Sequence, residues 1–290
     1  MTHPNLTIGL ISAVGILIIW PGFIVFSRAG VLDGLTPYDL AALRFIVAGA
    51  LTLPFAWAWW PRHLPLRVQA LLVLAGPGAI YSVMIFAGLA NASAAYGGVF
   101  SNGALPIFTM LIALVVAGTR PKVREVFASL VIIVGGVMVA WRGLRAGGQD
   151  VALGITLFLG ASCMIAAYIF TLKRCGVSPK QALAVVNVPN AVIYLPIWLL
   201  ILPSNMGEVP LQTLLPQAAF QGLGPGFLAV IVFAIMAFHL GATPTAAVAA
   251  AVPAAAALLA IPVLGEIPTL LEWLGIGTVT LGLGLLLRAK

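Results

Sequence analysis

The sequence predicts an all-α protein that crosses a membrane ten times, as two five-helix halves of opposite orientation. Three observations predict this fold class. Hydrophobic residues make up 62% of the 290 residues and charged residues only 7%, whereas soluble domains carry about 25% charged residues. Apolar runs of about 20 residues, the length of a membrane-spanning helix, follow one another along the chain. Features of the first half return in the second half at nearly constant spacing.

Each predicted span is an apolar run bounded by glycine, proline or charged residues. Segments such as RAGVLDGLTP and LPSNMGEVP separate the runs, whereas only HLGA separates the eighth from the ninth. The ten-residue alternation of a membrane β-barrel is absent, and the first run is interpreted as a span and not as a removed signal peptide. The predicted spans are 6–27, 37–59, 68–90, 94–118, 123–142, 151–172, 180–202, 212–238, 242–264 and 268–288.

The distribution of lysine and arginine predicts the orientation. With the N-terminus inside, three basic residues lie on the outer side, namely Arg28, Arg142 and Arg145. Ten lie on the inner side, and basic loops favour the cytoplasm. We therefore expect both termini to be cytoplasmic. The ten inner residues are Arg62, Arg67, Arg120, Lys122, Arg124, Lys173, Arg174, Lys180, Arg288 and Lys290.

A set of matching residues indicates that a five-span unit was duplicated. The triplet Gly76-Pro77-Gly78 returns 148 residues later as Gly224-Pro225-Gly226. A shift of 147 residues takes Pro106 to Pro253, Gly118 to Gly265, Pro121 to Pro268, Glu125 to Glu272 and Gly135 to Gly282.

The duplication has a consequence for orientation and for the position of a site. Because five is odd, the second unit enters the membrane with the opposite polarity. We expect one half to comprise residues 1–146 and the other 147–290. Inverted repeats of this kind are typical of secondary transporters, whose substrate site lies between the repeats near the midplane of the bilayer.

Several segments carry a resemblance to a known family. They are TPYDLAALRFIVAGALTL in the second span, SAAYGGVFSNGALPIFTMLIALVVAG leading into REVFASLVIIVGGVMV, and TPTAAVAAAVPAAAALLAIPVLGE leading into LEWLGIGTVTLGLGLLL. On these residues the chain resembles the EamA family of the drug/metabolite transporter superfamily, over essentially its whole length.

The resemblance implies a ten-helix transporter with cytoplasmic termini in the inner membrane of a bacterium. Within the family, we favour the bacterial exporters of amino acids and other metabolites, because the size of the chain, its spans and its basic loops suit a protein of the bacterial inner membrane. It implies a small-molecule substrate and a lipid bilayer as partners, in a monomer or a homodimer. It implies neither a cofactor nor a nucleic acid.

Interrupted helices are the first candidates for the substrate site. Proline removes a backbone donor, and in lipid the freed groups must be buried in protein or line a wet cavity. At Gly76-Pro77-Gly78, at Gly224-Pro225-Gly226 and at Trp20-Pro21-Gly22, these groups either bind substrate or mark a hinge or a close helix crossing.

Polar and aromatic side chains within the spans are the second group of candidates. We expect Tyr81 and Tyr168 to line the cavity, with Asn102 one turn before Pro106 and Trp20 deep in the first span. Each polar group needs a partner in the membrane, and bonding between helices is the alternative role. That alternative is favoured for Asn187 and Asn190 in the seventh span.

Arg44 is the one basic residue placed clearly inside a predicted span. Seven residues after Pro37, it lies roughly 10 Å deep at 1.5 Å per residue. A charge within the membrane is a functional hypothesis by default. It either attracts a substrate carboxylate, holds the carbonyl end of a broken helix, or extends outward to the interface.

The sequence also favours a transporter over other classes and offers little for proton coupling. No HExxH, GxSxG or P-loop motif occurs, so we expect no enzyme, and we expect no metal site. A channel, or an exporter of other amphipathic metabolites or drugs, remains an alternative. No Asp or Glu lies in the middle third of a predicted span. The only titratable candidate for proton transfer is His239, near the inner end of the eighth span. We therefore expect facilitated or exchange-type export.

Overall fold

Ten long helices form the protein. A computed structural model describes residues 4–145 and 149–289, and in this part of the chain ten helices are long and apolar enough to cross a membrane. They confirm the predicted all-α, ten-span class. In order, spans 1 to 10 are Leu6–Leu32, Pro37–Trp59, Leu66–Asn91, Ala94–Ala117, Val123–Arg145, Asp150–Cys175, Pro179–Ile201, Leu211–Leu240, Thr243–Leu264 and Leu270–Arg288.

The span ends follow the predicted ones within a few residues, and the largest extensions have a local cause. Span 1 continues to Leu32 and ends where Asp33 caps the helix and Gly34 adopts a φ of +99°. Between spans 8 and 9 a single residue, Gly241, breaks the helix with a φ of +81°. Only glycine adopts this backbone region at little cost, so one residue is enough to separate two spans.

The prolines of span 1 and span 3 have different effects. Span 1 is one continuous helix with Pro21 inside it, so the interruption expected at 20–22 is absent. Span 3 is interrupted, as predicted. A helix of residues Leu66–Ala75 ends at Gly76, and a second helix, Ala79–Asn91, begins after Gly78.

The second Gly-Pro-Gly triplet does not repeat the backbone of the first. In span 3 both glycines are extended, with ψ of −179° at Gly76 and −162° at Gly78. In span 8 the chain remains helical through a single π-helical turn, Gly224–Leu228. A π turn is wider than an α-helical turn and leaves room for the proline. The same three residues therefore interrupt one helix, whereas the other continues through a π-helical turn.

The contacts between spans are symmetric when the two halves are exchanged. Span 3 packs on span 6 as span 8 packs on span 1, and span 4 packs on span 6 as span 9 packs on span 1. Spans 5 and 10, which correspond to each other, form the most extensive contact. There a Cβ on Gly135 or on Gly275 would lie 2.7 Å from the carbonyl oxygen of the other.

An even number of spans brings both ends of the chain to the same side of the membrane. We call this side the terminal face and the opposite side the distal face. The expected boundary between the halves, at residues 146 and 147, lies outside the described residues.

Candidate functional site

Arg44 lies in the middle of the molecule and is almost completely buried. Its side chain is 3% exposed, and its stem packs beside the second triplet, where a Cβ on Gly226 would lie 3.6 Å from Arg44 Cγ. The guanidinium carbon is 5.5 Å from the ring centre of Phe23 and 5.9 Å from that of Phe45. Spans 1, 2 and 8 thus enclose one cation, and the aromatic rings offer it a weak attraction.

This cation has no partner of opposite charge. Within residues 4–145 and 149–289, Arg44 forms no ion pair, and its Nε forms no hydrogen bond. Buried charges in proteins are normally paired, because removing each charge from water costs on the order of several kcal/mol. An unpaired guanidinium is therefore prepared to receive an anion, most simply a planar carboxylate.

Two predicted site residues converge on Arg44 from other spans. Tyr81 of span 3 and Tyr168 of span 6 both interact electrostatically with the guanidinium. The first triplet joins the same group, since a Cβ on Gly76 would lie 3.1 Å from Cδ2 of Tyr168. The structure therefore places Arg44, both tyrosines and both Gly-Pro-Gly triplets in one region of the protein, and their role in a substrate site stays a prediction.

Trp20 lies beside this group, on the side of span 8. Its ring stacks on Phe233 at 5.2 Å between centres and 25° between planes. It packs against a small apolar cluster formed by Ala13, Ile16 and Met236. Trp20 therefore contributes to the packing of span 1 on span 8 and not to the group around the arginine.

Asn102 stands apart from the group around Arg44. It lies in a π-helical turn of span 4, Gly98–Gly103, and its Nδ2 donates to the hydroxyl of Ser101 at 3.1 Å. The same turn packs on span 9, where a Cβ on Gly98 would lie 3.1 Å from Cα of Pro253. The Asn102 amide therefore bonds to a neighbouring residue within the π-helical turn of span 4.

Asn187 and Asn190 bond to both Gly-Pro-Gly triplets. Asn190 Oδ1 accepts from the N–H of Ala79 at 2.7 Å, directly after the first triplet. Asn187 Nδ2 donates to the carbonyl of Gly226 at 3.0 Å, within the second. The sequence favours bonding between helices for these two residues, but it does not reveal which backbone groups receive the bonds.

Sequence reasoning missed two polar clusters at the distal face. Asp39 is fully buried and accepts from Trp198 Nε1 at 3.0 Å, Ser204 Oγ at 2.6 Å and the N–H of Asn205 at 2.9 Å. It also forms a capping box with Thr36 at the start of span 2. The box is visible in the sequence as TPYD, but the distant partners are not.

The second distal cluster is an ion pair between the halves. Arg28 Nε lies 2.9 Å from Glu266 Oε1, and Glu266 Oε2 accepts from the N–H of Ala94 at 2.9 Å. Arg28 Nη1 also donates to the carbonyl of Leu89. This cluster holds together the distal ends of spans 1, 3 and 4 and the loop before span 10.

The surface also carries a groove of about 710 Å³ outside the arginine group. Spans 1 and 8 line it with apolar residues such as Ile19, Phe26 and Leu223, and Gly224 of the second triplet lies in its wall. Elsewhere in the described segments, no group of three or more histidine, cysteine or acidic residues is placed to hold a metal ion.

Comparisons with known proteins identify relatives over nearly the whole chain. A family model described as the EamA-like transporter family matches residues 7–141 and again residues 152–288. The uncharacterized transporter YwfM of Bacillus subtilis (strain 168) is 26% identical over 261 residues, which cover 87% of this chain and 84% of YwfM.

A solved crystal structure, whose description gives no function, has the same fold. Its TM-score is 0.65 at 18% sequence identity, with 97% of this chain and 96% of that chain covered. At this identity the likeness concerns the fold alone.

Proposed function

Because the chain belongs to the EamA-like transporter family, we propose that it exports amino acids by alternating access and binds their carboxylate at Arg44. It is a multi-pass membrane transporter of small molecules and not an enzyme. The observation that carries the proposal is the buried guanidinium of Arg44, which has no acidic partner in the part of the chain that the structure describes. A substrate carboxylate would supply the missing charge with two parallel hydrogen bonds.

The rings around Arg44 favour substrates with an apolar or aromatic side chain. Phe23 and Phe45 flank the guanidinium, and Tyr81 and Tyr168 complete the enclosure with hydroxyl groups that are able to accept from an ammonium. Trp20, Asn102 and the triplets Gly76-Pro77-Gly78 and Gly224-Pro225-Gly226 belong to the proposed cavity wall in the open states.

Alternating access follows from the enclosure of Arg44. A buried site is reached from either face only when the helices around it move; the second triplet packs on Arg44 and the first packs on Tyr168. We propose that two inverted halves, residues 1–146 and 147–290, rock around this centre. The symmetric contacts between the spans and the two separate matches of the family model support this division.

Direction and coupling complete the proposal. The excess of basic residues in the loops of the terminal face supports a cytoplasmic terminal face, and with this orientation export is a movement from the terminal to the distal face. Asp39 already accepts several hydrogen bonds, and His239 Nδ1 accepts from the N–H of Asn5 at 3.0 Å. With no free acid at the centre in the described residues, we propose facilitated or exchange-type export without a proton.

A counterflow assay with purified protein in liposomes tests this function. We expect saturable exchange of apolar or aromatic amino acids without a pH gradient. We expect no competition from the corresponding amino-acid amides, which lack the carboxylate. Arg44→Gln should lower the exchange rate at low substrate concentration by roughly tenfold or more, because it removes a charge-assisted bond.

Arg62→Gln is the matched control for charge. Arg62 lies in the loop between spans 2 and 3, with its guanidinium carbon 3.9 Å from the ring centre of Trp57, and we expect this variant to retain the wild-type rate. Equal competition by acids and amides, or equal rates for the two variants, would contradict the role of Arg44. A flux that requires a pH gradient would contradict exchange without a proton.

Export of amphipathic solutes is a second candidate, and the groove between spans 1 and 8 favours it. The groove is largely apolar, and Gly224 connects its wall to the second triplet. In the same assay, competition by uncharged amphipathic solutes that Arg44→Gln leaves unchanged would favour this candidate over amino acids.

A further inference from the structure

Span 7 carries two asparagines that reach both Gly-Pro-Gly triplets. Asn187 and Asn190 are 2% and 7% exposed and lie three residues apart, on one face of the helix. We infer that these asparagines are positioning residues that set the two bends at the triplets, namely the interruption of span 3 and the π-helical turn of span 8. The inference rests on the proposed function only for its effect on transport, because the bends themselves exist without substrate.

Asn190 replaces the backbone bonds that the first triplet removes. Pro77 has no N–H to donate to the carbonyl of Val73, one turn earlier. Asn190 Nδ2 lies 3.5 Å from that carbonyl and 2.7 Å from the carbonyl of Val186, and its Oδ1 accepts from Ala79. One amide thus serves both ends of the interruption.

The first triplet is shaped to admit this amide. A Cβ on Gly78 would lie 2.6 Å from Asn190 Nδ2 and 2.8 Å from Oδ1, which is closer than real carbon atoms approach. Glycine is therefore required here by the close approach of the amide, and not by a special backbone angle. A change of bend in span 3 must break or move these bonds.

Asn187 acts on the second triplet, next to the buried arginine. Its Nδ2 donates to the carbonyl of Gly226 at 3.0 Å and to Thr52 Oγ1 at 3.1 Å. Thr52 Oγ1 in turn donates to the carbonyl of Ala48 at 2.7 Å. Span 7 therefore holds span 8 at the point where span 8 packs on the stem of Arg44.

These bonds have a large effect because water is absent. A bilayer offers no water to an unpaired backbone group, so the bend that pairs these groups is favoured over bends that leave them unpaired. In the described part of the chain, neither asparagine forms a hydrogen bond with the guanidinium of Arg44. Their loss should therefore change the rate of interconversion between states more than the affinity for substrate.

Distances between spin labels test the positioning role without substrate. The full chain in lipid nanodiscs, with Cys163 and Cys175 replaced by serine, carries labels either at positions 66 and 90 or at 211 and 238. These positions are exposed ends of span 3 and span 8. We expect Asn190→Ala to broaden and shift the 66–90 distances only, and Asn187→Ala the 211–238 distances only.

Thr52→Val is the matched control for Asn187. It removes one of the two acceptors of Asn187 and leaves the carbonyl of Gly226 in place, so we expect unchanged 211–238 distances. If Asn190→Ala does not fold, Asn190→Asp is measured instead. Its protonated form offers one acceptor and one donor in place of the amide's acceptor and two donors, so it can keep the bond from Ala79 and the short bond to Val186, and it should retain 66–90 distances close to those of the wild type. Wild-type distances in both alanine variants, or altered distances in Asn190→Asp, would overturn the inference.

Counterflow separates this inference from the proposed function. We expect each alanine variant to lower the maximal rate by roughly tenfold, the factor of one lost buried hydrogen bond, with KM within about twofold of wild type. A changed KM at an unchanged maximal rate would overturn the positioning role. If the wild-type protein exchanges no amino acid, the proposed function fails, whereas the distances still decide whether the asparagines set the bends.

Discussion

At the scale of single residues, the structure distinguishes two buried charges. Arg44 is enclosed by aromatic rings and has no anion beside it, whereas Asp39 is surrounded by donors from span 2, span 7 and the loop after it. A satisfied charge holds structure together, and an unsatisfied charge is available to a ligand. We therefore assign Asp39 to stability and Arg44 to substrate.

Replacement of Asp39 should destabilise the protein. Asp39→Ala leaves the donors of Trp198, Ser204 and Asn205 without an acceptor, at a cost of about 2 kcal/mol or more. We expect the midpoint of thermal unfolding, measured in detergent, to fall by roughly 4 °C or more. Asp33→Asn changes an exposed carboxylate on the same hairpin and should leave the midpoint unchanged. Equal midpoints for the two variants would contradict a structural role for Asp39.

At the scale of helices, one sequence triplet has two backbone conformations. Gly76-Pro77-Gly78 ends a helix, because an amide from span 7 occupies the gap and pairs the freed groups. Gly224-Pro225-Gly226 stays within a π-helical turn. The triplet thus weakens the helix in both halves, and the neighbouring span decides how far the helix opens.

The surroundings of two glycines, Gly78 in the first triplet and Gly224 in the second, predict different effects of alanine at these two positions. Gly78→Ala would place a Cβ against the Asn190 amide, whereas Gly224→Ala meets its nearest atom, Ile19 Cγ2, at 3.8 Å. We expect Gly78→Ala to lower the unfolding midpoint by roughly 4 °C or more. Gly224→Ala should keep it at or above the wild-type value, since alanine favours a helix. The reverse order of midpoints would show that the Asn190 contact does not matter.

At the scale of the whole molecule, the distal face is closed by contacts between the halves. Arg28 and Glu266 pair across them, and the same carboxylate holds the start of span 4 through Ala94. At the terminal face, span 1 and span 8 are joined by the bond from Asn5 to His239. In the proposed export cycle the distal face opens to release substrate, so this ion pair would break once in each cycle.

Loss of this ion pair should open the distal face. We expect Glu266→Gln to lengthen the distance between spin labels at positions 32 and 267, both exposed, because a lost contribution of about 1.4 kcal/mol shifts a two-state equilibrium tenfold. The double variant Arg28→Glu with Glu266→Arg restores the ion pair but not the bonds to Leu89 and Ala94, so it should recover part of the short distance. Glu208→Gln, in the neighbouring loop, serves as the control. An unchanged distance in Glu266→Gln would show that other contacts close this face.

The sequence by itself determined the membrane class, the ten spans, the weak points at the triplets and the family. These properties are local: a run of apolar residues of the right length must form a helix in lipid, whatever its neighbours are. The sequence also identified Arg44, Tyr81 and Tyr168 individually, because polar groups are conspicuous within apolar runs.

Only the tertiary structure decided which of these residues meet. The bond from Ala79 to Asn190 joins residues 111 positions apart, and the ion pair of Arg28 with Glu266 joins the two halves. Tyr81 and Tyr168 lie near enough to Arg44 to interact electrostatically with it. Trp20 instead stacks on Phe233, and Asn102 bonds to its neighbour Ser101. Many arrangements of the spans would place the same apolar residues in lipid, so the close packing of small residues between helices selects the neighbours. In the observed arrangement the buried Arg44 has no acidic partner among the described residues.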